Sequence, residues 1–226
     1  SRREEEEVLK LFERSKMQTG INFDHYDDIP VEVSPSHKVI GVEPIECFSA
    51  DLRLAGAVMD NVRRAGYDKP TPVQKHALPI VCAGYDVMAC AQTGSGKTAG
   101  FLFPMITSIL QANPGGGREP KGDARYPPGR GGSTPQGLIL APTRELVQQI
   151  FVEARKFCFK TGLQTAVAYG GGENMKDQLR QMERGADIVV AAPGRLVDFL
   201  ERGKVRLSQV LFLTLDEADR MLDMGF

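Results

Sequence analysis

The sequence predicts an α/β fold in three layers, with a mainly parallel central sheet and helices on both of its faces. Three observations predict it. Short apolar, β-rich runs recur at DVMAC (86–90), GLILA (137–141), QTAVAY (164–169), DIVVA (187–191) and VLFLTL (210–215). Helical stretches separate them, near 97–111, 143–160, 173–184 and 194–202. Strands and helices that alternate in this way build parallel sheets buried on both sides. Every polar stretch with chemical potential follows one of the apolar runs, and ligands of such sheets bind at the strands' carboxyl ends.

In chain order, residues 1–46 stand apart from the domain at 47–226. Residues 2–16 (RREEEEVLKLFERSK) suit a short helix whose apolar side is Val8, Leu9, Leu11 and Phe12. The stretch 17–47 has scattered prolines (Pro30, Pro35, Pro44) and little periodicity, and reads as an extended leader. Ser49 suits an N-cap, with a helix over 50–65 that Gly66 closes. Within the domain, ANPGGGREPKGDARYPPGRGGSTPQG (112–137) is rich in Gly and Pro and lacks apolar periodicity. It reads as a flexible insertion. Its arginines, including Arg130 in an RGG, leave nucleic-acid contact open beside a plain linker.

Composition bounds the rest. A chain of 226 residues, 42% hydrophobic and 25% charged, suits one well-cored domain with extensions. No apolar run approaches the roughly 18 residues that span a bilayer, and SRREEEE is no signal peptide, so no membrane association is expected. Cys47, Cys82, Cys90 and Cys158 show no CxxC spacing, and Cys82 and Cys90 sit in apolar stretches. That predicts reduced thiols in a cytoplasmic or nuclear setting rather than a disulfide or zinc framework. The net charge of −1 is uninformative, but residues 21–46 carry six acidic side chains against Lys38 alone. Residues 47–226 carry 22 basic and 18 acidic side chains, a mildly basic body under an acidic leader.

ACAQTGSGKT follows the 86–90 run and leads into a helix. The usual phosphate loop is GxxxxGK[ST]; Ala91 stands at its first position here, so the strict form is missed by one residue. Gly94 and Gly96 still allow backbone N–H groups along Gln92–Thr93–Gly94–Ser95–Gly96 to turn around a phosphate, at the positive end of the helix dipole. Lys97 can reach the β- and γ-phosphates, and the Thr98 hydroxyl is placed for Mg²⁺. After the last apolar run, Asp216 would hold the Mg²⁺ through water, and Glu217 would orient or deprotonate the attacking water. Taken alone, Asp216–Asp219 would also suit the start of a helix. Together with the loop they predict a nucleotide hydrolysis site.

In these residues the chain resembles the first RecA-like domain of the DEAD-box RNA helicases, over nearly its whole length. AQTGSGKT (91–98) resembles that family's motif I, PTREL (142–146) motif Ia, Gly171–Gly172 the GG motif and LDEAD (215–219) motif II. GYDKPTPVQ (66–74) resembles the Q motif, with Phe48 as its upstream aromatic. The leader TGINFDHYDDIPVEV resembles the Vasa-like subgroup, which includes helicases of translation initiation and the germ line. The resemblance implies ATP or ADP with Mg²⁺ as cofactors, an ATP site that includes Phe48, Tyr67, Lys69 and Gln74, and adenine selection by the Q motif, with Gln74 bonding the adenine edge and an aromatic residue stacking on the base. Gln74 also has a local explanation, because Thr71-Pro72-Val73-Gln74 is a capping box, and the two roles can coexist. Phe48 and Tyr67 could equally be core aromatics.

The resemblance further implies RNA contact through Pro142, Thr143, Arg144, Gly171, Gly172, Gly194 and Arg195. Such contacts run mainly to the sugar-phosphate backbone and do not read sequence. Arg144 and Glu145 would alternatively form a surface pair, and the glycines a turn. Two positions depart from the family: Ala192 stands where motif Ib has threonine, and Gly100 where alanine is common. The first removes a hydroxyl, about 1 kcal/mol of phosphate binding; the second costs about 1 kcal/mol of helix stability. A second RecA-like domain, with arginines that reach the γ-phosphate, is expected beyond this sequence. Residues 1–226 are expected to be a monomer that binds nucleotide and unwinds nothing alone. Two other classes stay open: a small-molecule kinase, and a nucleotide-timed module that docks protein partners through its acidic leader.

Overall fold

The computed structural model describes residues 2–18, 30–34, 41–49, 52–113, 132–171 and 174–226. The chain divides into two compact units, Ser1–Ser108 and Ile109–Phe226.

The first unit is helical. Helix α1 (Arg2–Gln18) lies where the apolar spacing predicts a helix and runs two residues further. Val8 and Phe12, four apart, are buried, while Leu9 is largely exposed. Of the expected leader, residues 30–34 and 41–47 have no regular secondary structure, and 19–29 and 35–40 lie outside the described residues. The helix expected over 50–65 is shorter. Helix α2 spans Gly56–Arg64, and its N-cap is Ala55, not Ser49. The reason is Arg53, whose backbone is left-handed at φ 51° and cannot continue a helix. The Ala55 N–H is satisfied by Thr107 Oγ1 at 3.1 Å instead. Gly66, at φ 76°, ends the helical turn as expected.

Helix α3 (Pro72–Cys82) starts on Thr71 with Pro72 in its first turn, where the missing N–H costs nothing. Helix α4 (Lys97–Ala112) follows the phosphate loop and buries Ala99, Leu102, Phe103, Met105 and Ile106. The strand expected at 86–90 is not formed. Residues 85–92 carry no regular secondary structure, and Val87 and Met88 are 40% and 91% exposed. An apolar run supplies β propensity, but a strand exists only through a ladder, and among the described residues none pairs with this run. Cys82 and Cys90 are likewise exposed rather than apolar-packed; all four cysteines are free, and only Cys158 is buried.

The second unit carries the sheet. Strands β1 (Gly137–Leu140), β2 (Thr165–Ala168), β3 (Ile188–Ala191) and β4 (Phe212–Leu215) lie in the order β2-β3-β1-β4, all parallel. Helices α5 (Arg144–Phe157), α6 (Met175–Arg184), α7 (Pro193–Glu201) and α8 (Ala218–Asp223) follow the strands in turn. On one face Leu138, Ala166, Ala168, Val189 and Ala191 pack with Met182 of α6 and with Leu196 and Phe199 of α7. Alternation sends Ile139, Val167, Ile188 and Val190 to the other face, and α5, which packs along β2 and β3, buries Val147, Ile150, Ala154 and Phe157. The register pairs Ala168 with Ala191, Leu140 with Ala191 and Leu140 with Leu215. The four carboxyl ends are therefore level along one edge.

Of the predicted insertion at 112–137, residues 114–131, Arg130 among them, lie outside the described residues. Its last part is packed. Ser133 bridges to Val205, donates through Oγ to Met182 O at 2.7 Å and accepts from Ala186 N at 2.9 Å. Those bonds remove the polar penalty of burying a serine to 1% exposure, so glycine content alone misjudges its end. Among the described residues no helix is long and apolar enough to cross a membrane.

Candidate functional site

In the first unit the start of α3 is tied to the phosphate loop. Gln74 is fully buried. Its Oε1 accepts from the Thr71 N–H at 3.1 Å, the capping-box bond, and its Nε2 donates to the Gly96 carbonyl at 2.9 Å. The Thr71 hydroxyl donates to the Ser95 carbonyl at 2.7 Å. Two capping side chains thus hold two successive carbonyls of the loop. Gly96 stands at φ 87°, and a Cβ there would lie 2.4 Å from Gln74 Nε2 and 2.9 Å from Thr71 Oγ1. Glycine is required both for the backbone angle and for the close approach.

Within the loop, Lys97 Nζ donates to the Ala91 carbonyl. Gly94 has φ 82°, and Gln92, Thr93 and Gly94 are exposed. The Ser95 hydroxyl is buried with no hydrogen-bond partner among the described residues. A buried hydroxyl left alone is costly, and among the described residues the Lys97 ammonium forms no salt bridge, only its bond to the loop carbonyl. Both are what a phosphate group would satisfy, so the loop's residues fit a nucleotide. Thr98 follows Lys97 in the first turn of α4.

Phe48, Tyr67 and Phe103 form a cluster of edge-to-face rings, with centroids 6.3 Å (48–67), 6.2 Å (48–103) and 5.9 Å (67–103) apart. Phe103 is fully buried, while Phe48 and Tyr67 are half-buried. Phe48 and Tyr67 are thus anchored in the core and reach its surface. Lys69 is exposed.

In the second unit the predicted residues gather along the carboxyl edge of the sheet. Past β4, the Asp216 N–H donates to Leu140 O at 2.9 Å, extending the ladder by one residue. Glu217 then turns left-handed, at φ 50° and ψ 49°, as the N-cap of α8. Its N–H donates to Asp216 Oδ1 at 3.1 Å, and its carboxylate pairs with Arg220 at 3.3 Å.

Past β1, Pro142 is buried and Thr143 caps α5 by accepting from the Leu146 N–H at 3.3 Å. A hydroxyl that accepts here still has its proton to donate. The Arg144 guanidinium lies 5.1 Å over the Tyr169 ring. Gly171, at φ 113°, lies close to the same guanidinium: a Cβ there would stand 2.7 Å from Arg144 Nη1. Motif Ia and the first glycine of the GG pair therefore meet at one guanidinium; Gly172 lies outside the described residues. Tyr169 is fixed by Gln148 Nε2, which donates to its hydroxyl at 2.9 Å, and by its own N–H on Gln178 Oε1 at 3.0 Å. Burial pushes its phenol up, but hydrogen bonds with Asn174 and Gln148 and the Arg144 charge outweigh this and leave it below its ordinary value.

Past β3, Ala192 is the N-cap of α7 and offers no side-chain bond, with Pro193 in the first turn. Gly194 is exposed. Arg195 is held by Asp198 Oδ2 at 3.2 Å and lies 5.8 Å over the Phe199 ring. An open cleft of about 510 Å³ is lined by Gly170, Ala192, Gly194, Arg195, Asp198 and Arg202.

Sequence reasoning missed Tyr169, Asp198 and Arg202. The signal for Tyr169 was its place at a strand end just before the glycines. For the other two it was helical spacing, three and seven residues after Arg195.

The family model for DEAD/DEAH box helicases matches residues 71–226. The crystal structure of the RNA-helicase Prp28 from Chaetomium thermophilum bound to ADP is similar, with 41% identity and a TM-score of 0.65 over 80% of this chain and 41% of that one. A DEAD box protein from the hyperthermophile Methanococcus jannaschii is similar too, with 33% identity and a TM-score of 0.65 over 80% of this chain and 44% of that one. The chain thus spans less than half the length of each structure.

Proposed function

Since the chain belongs to the DEAD/DEAH box helicase family, we propose that it is the ATP-binding part of an RNA-dependent ATPase that remodels or opens short RNA duplexes. The observation that carries this reading is the phosphate loop closed on itself, with Lys97 on the Ala91 carbonyl beside the orphaned Ser95 hydroxyl. ATP or ADP as the ligand is supported by the ADP-bound Prp28 structure. With Mg²⁺, ATP supplies the phosphoanhydride bond that is broken. Lys97 exchanges the Ala91 carbonyl for phosphate oxygens, and Ser95 gains the acceptor it lacks. By their motifs alone, Thr98 is an ion-holding residue of the first unit, Asp216 an ion-holding residue of the second, and Glu217 the residue that would orient the attacking water.

Gln74 reads the adenine edge in this proposal. Its amide keeps one N–H and one lone pair beyond the bonds to Thr71 and Gly96. Phe48 and Tyr67 flank that base, and Lys69 lies exposed nearby in sequence. RNA lies along Pro142, Thr143, Arg144, Gly171, Gly194 and Arg195 as a phosphate track without sequence preference. We propose a place in the Vasa-like subgroup, which includes helicases of translation initiation and the germ line, and a monomer in the cytoplasm or nucleus. The leader sequence and the free cysteines support that placement. Because the match covers only 41% and 44% of those two structures, we infer that residues 1–226 alone bind nucleotide without separating strands. The arginine finger that such turnover relies on is worth roughly 10³–10⁵.

The test is a titration of this chain with ADP and with GDP in Mg²⁺, beside Gln74→Ala. ADP should bind and GDP bind poorly, and the variant should lose that preference. Equal binding of both nucleotides, with Gln74→Ala altering only the melting temperature, would leave Gln74 a helix cap and the protein a general phosphate-loop NTPase.

A further inference from the structure

The cleft beside α7 carries more charge chemistry than the four residues Ala192–Arg195. Asp198, one turn into the helix, divides its carboxylate between two guanidiniums. Oδ2 takes Arg195 Nη1 at 3.2 Å and Oδ1 takes Arg202 Nε at 2.6 Å. Arg202 sits at the C-cap, yet lines the same cleft as Gly194 near the helix start. Its bond to Asp198 runs through Nε. Among the described residues its terminal Nη groups have no partner, and its side chain is 54% exposed.

That arrangement suits an anion better than it suits an ion pair for stability. A guanidinium fixed through Nε presents its two Nη groups as a rigid fork, the geometry that takes a phosphate with two parallel bonds. Two arginines against one aspartate leave a net positive charge in the cleft. Gly170 and Gly194 line it without side chains that would hold a strand away. Ala192, on the same wall, lacks the hydroxyl expected there, and Arg202 supplies polar contact the cap does not.

The geometry points to Arg202 as a further RNA-phosphate contact, beside the phosphate held by 192–195, with Asp198 as the positioning residue for both arginines. This rests on the RNA reading above and extends its phosphate track along α7.

The test is binding of a fluorescein-labelled single-stranded oligouridylate to this chain, followed by anisotropy across a salt series that starts at low ionic strength. Arg202→Gln should weaken binding roughly tenfold and reduce the slope of log K against log salt by about 0.7, one phosphate on a single strand. Arg202→Lys should keep the slope while losing part of the affinity. Asp198→Asn gives the discriminating sign. Removing a negative charge from an unstructured basic surface tightens RNA binding, whereas releasing two positioned guanidiniums weakens it. The expected result is weaker binding with an unchanged melting temperature. Wild-type slope and affinity in Arg202→Gln, with Arg144→Gln impaired, would overturn this inference and leave the RNA reading standing. No salt-dependent RNA binding by the wild-type chain would overturn both.

Discussion

Gly96 and Gly100, one helical turn apart, make opposite demands on a side chain. A Cβ on Gly96 would meet Gln74 and Thr71 at 2.4 and 2.9 Å, and the backbone there is left-handed. A Cβ on Gly100 would meet nothing within 4 Å. Gly96→Ala should therefore break the tie between α3 and the loop, abolish ADP binding and lower the melting temperature. Left-handed backbone alone costs a non-glycine about 1–2 kcal/mol. Gly100→Ala should leave ADP binding intact and stabilise α4 by about 1 kcal/mol, a rise of roughly 2–4 °C for a chain of this size. Thermal melts with and without ADP read both outcomes. A Gly100→Ala protein that melts lower would mean that α4 is held by packing the added methyl disturbs. Glu217 shows the same economy in reverse: a residue with a Cβ sits at φ 50°, strain of the kind that collects at working sites, and it is the proposed water-orienting carboxylate.

At the scale of elements, α7 begins with a cap that does nothing. Ala192 already has the extended backbone of an N-cap, φ −82° and ψ 138°, but no side-chain oxygen to take a helix N–H. Ala192→Thr should gain about 1 kcal/mol of stability and bind oligouridylate more tightly, since the same hydroxyl can donate to a phosphate. Urea melts and anisotropy would show it, and a threonine that changes neither would mean the helix start is satisfied by solvent. Elements like this one were legible in the sequence to within two or three residues at each end. The reason is that β1 to β4 and α4 to α7 combine the right period with the right flanking residues. Ser49 failed as a cap because Arg53 turns left-handed four residues later, which no pattern of apolar spacing announces. DVMAC failed as a strand for a different reason. Its composition is right, but pairing is a property of a neighbour, and its side chains are exposed instead.

Across the whole molecule, legibility divides between chemistry and adjacency. The motif residues could be read one by one, because a phosphate loop or an acidic pair is local in sequence. Which motifs touch could not, because the order β2-β3-β1-β4 decides that. Arg144 follows β1 and Tyr169 follows β2, two strands away across β3, yet the guanidinium lies over the ring and against Gly171. The same holds for the carboxylate that joins Arg195 to Arg202. Hydrogen exchange can test whether these local assemblies answer to separate ligands, because slowed exchange marks backbone that a ligand orders. ADP with Mg²⁺ should protect 71–75 and 91–100 in the first unit, where Thr71 and Gln74 meet the loop. Oligouridylate should protect 142–146, 169–171 and 192–202 in the second. Protection of the loop by ADP with no RNA effect on those three segments would favour a small-molecule kinase or a nucleotide-timed docking module. RNA protection confined to 192–202 would separate the α7 cleft from the Arg144 contact and shorten the proposed track.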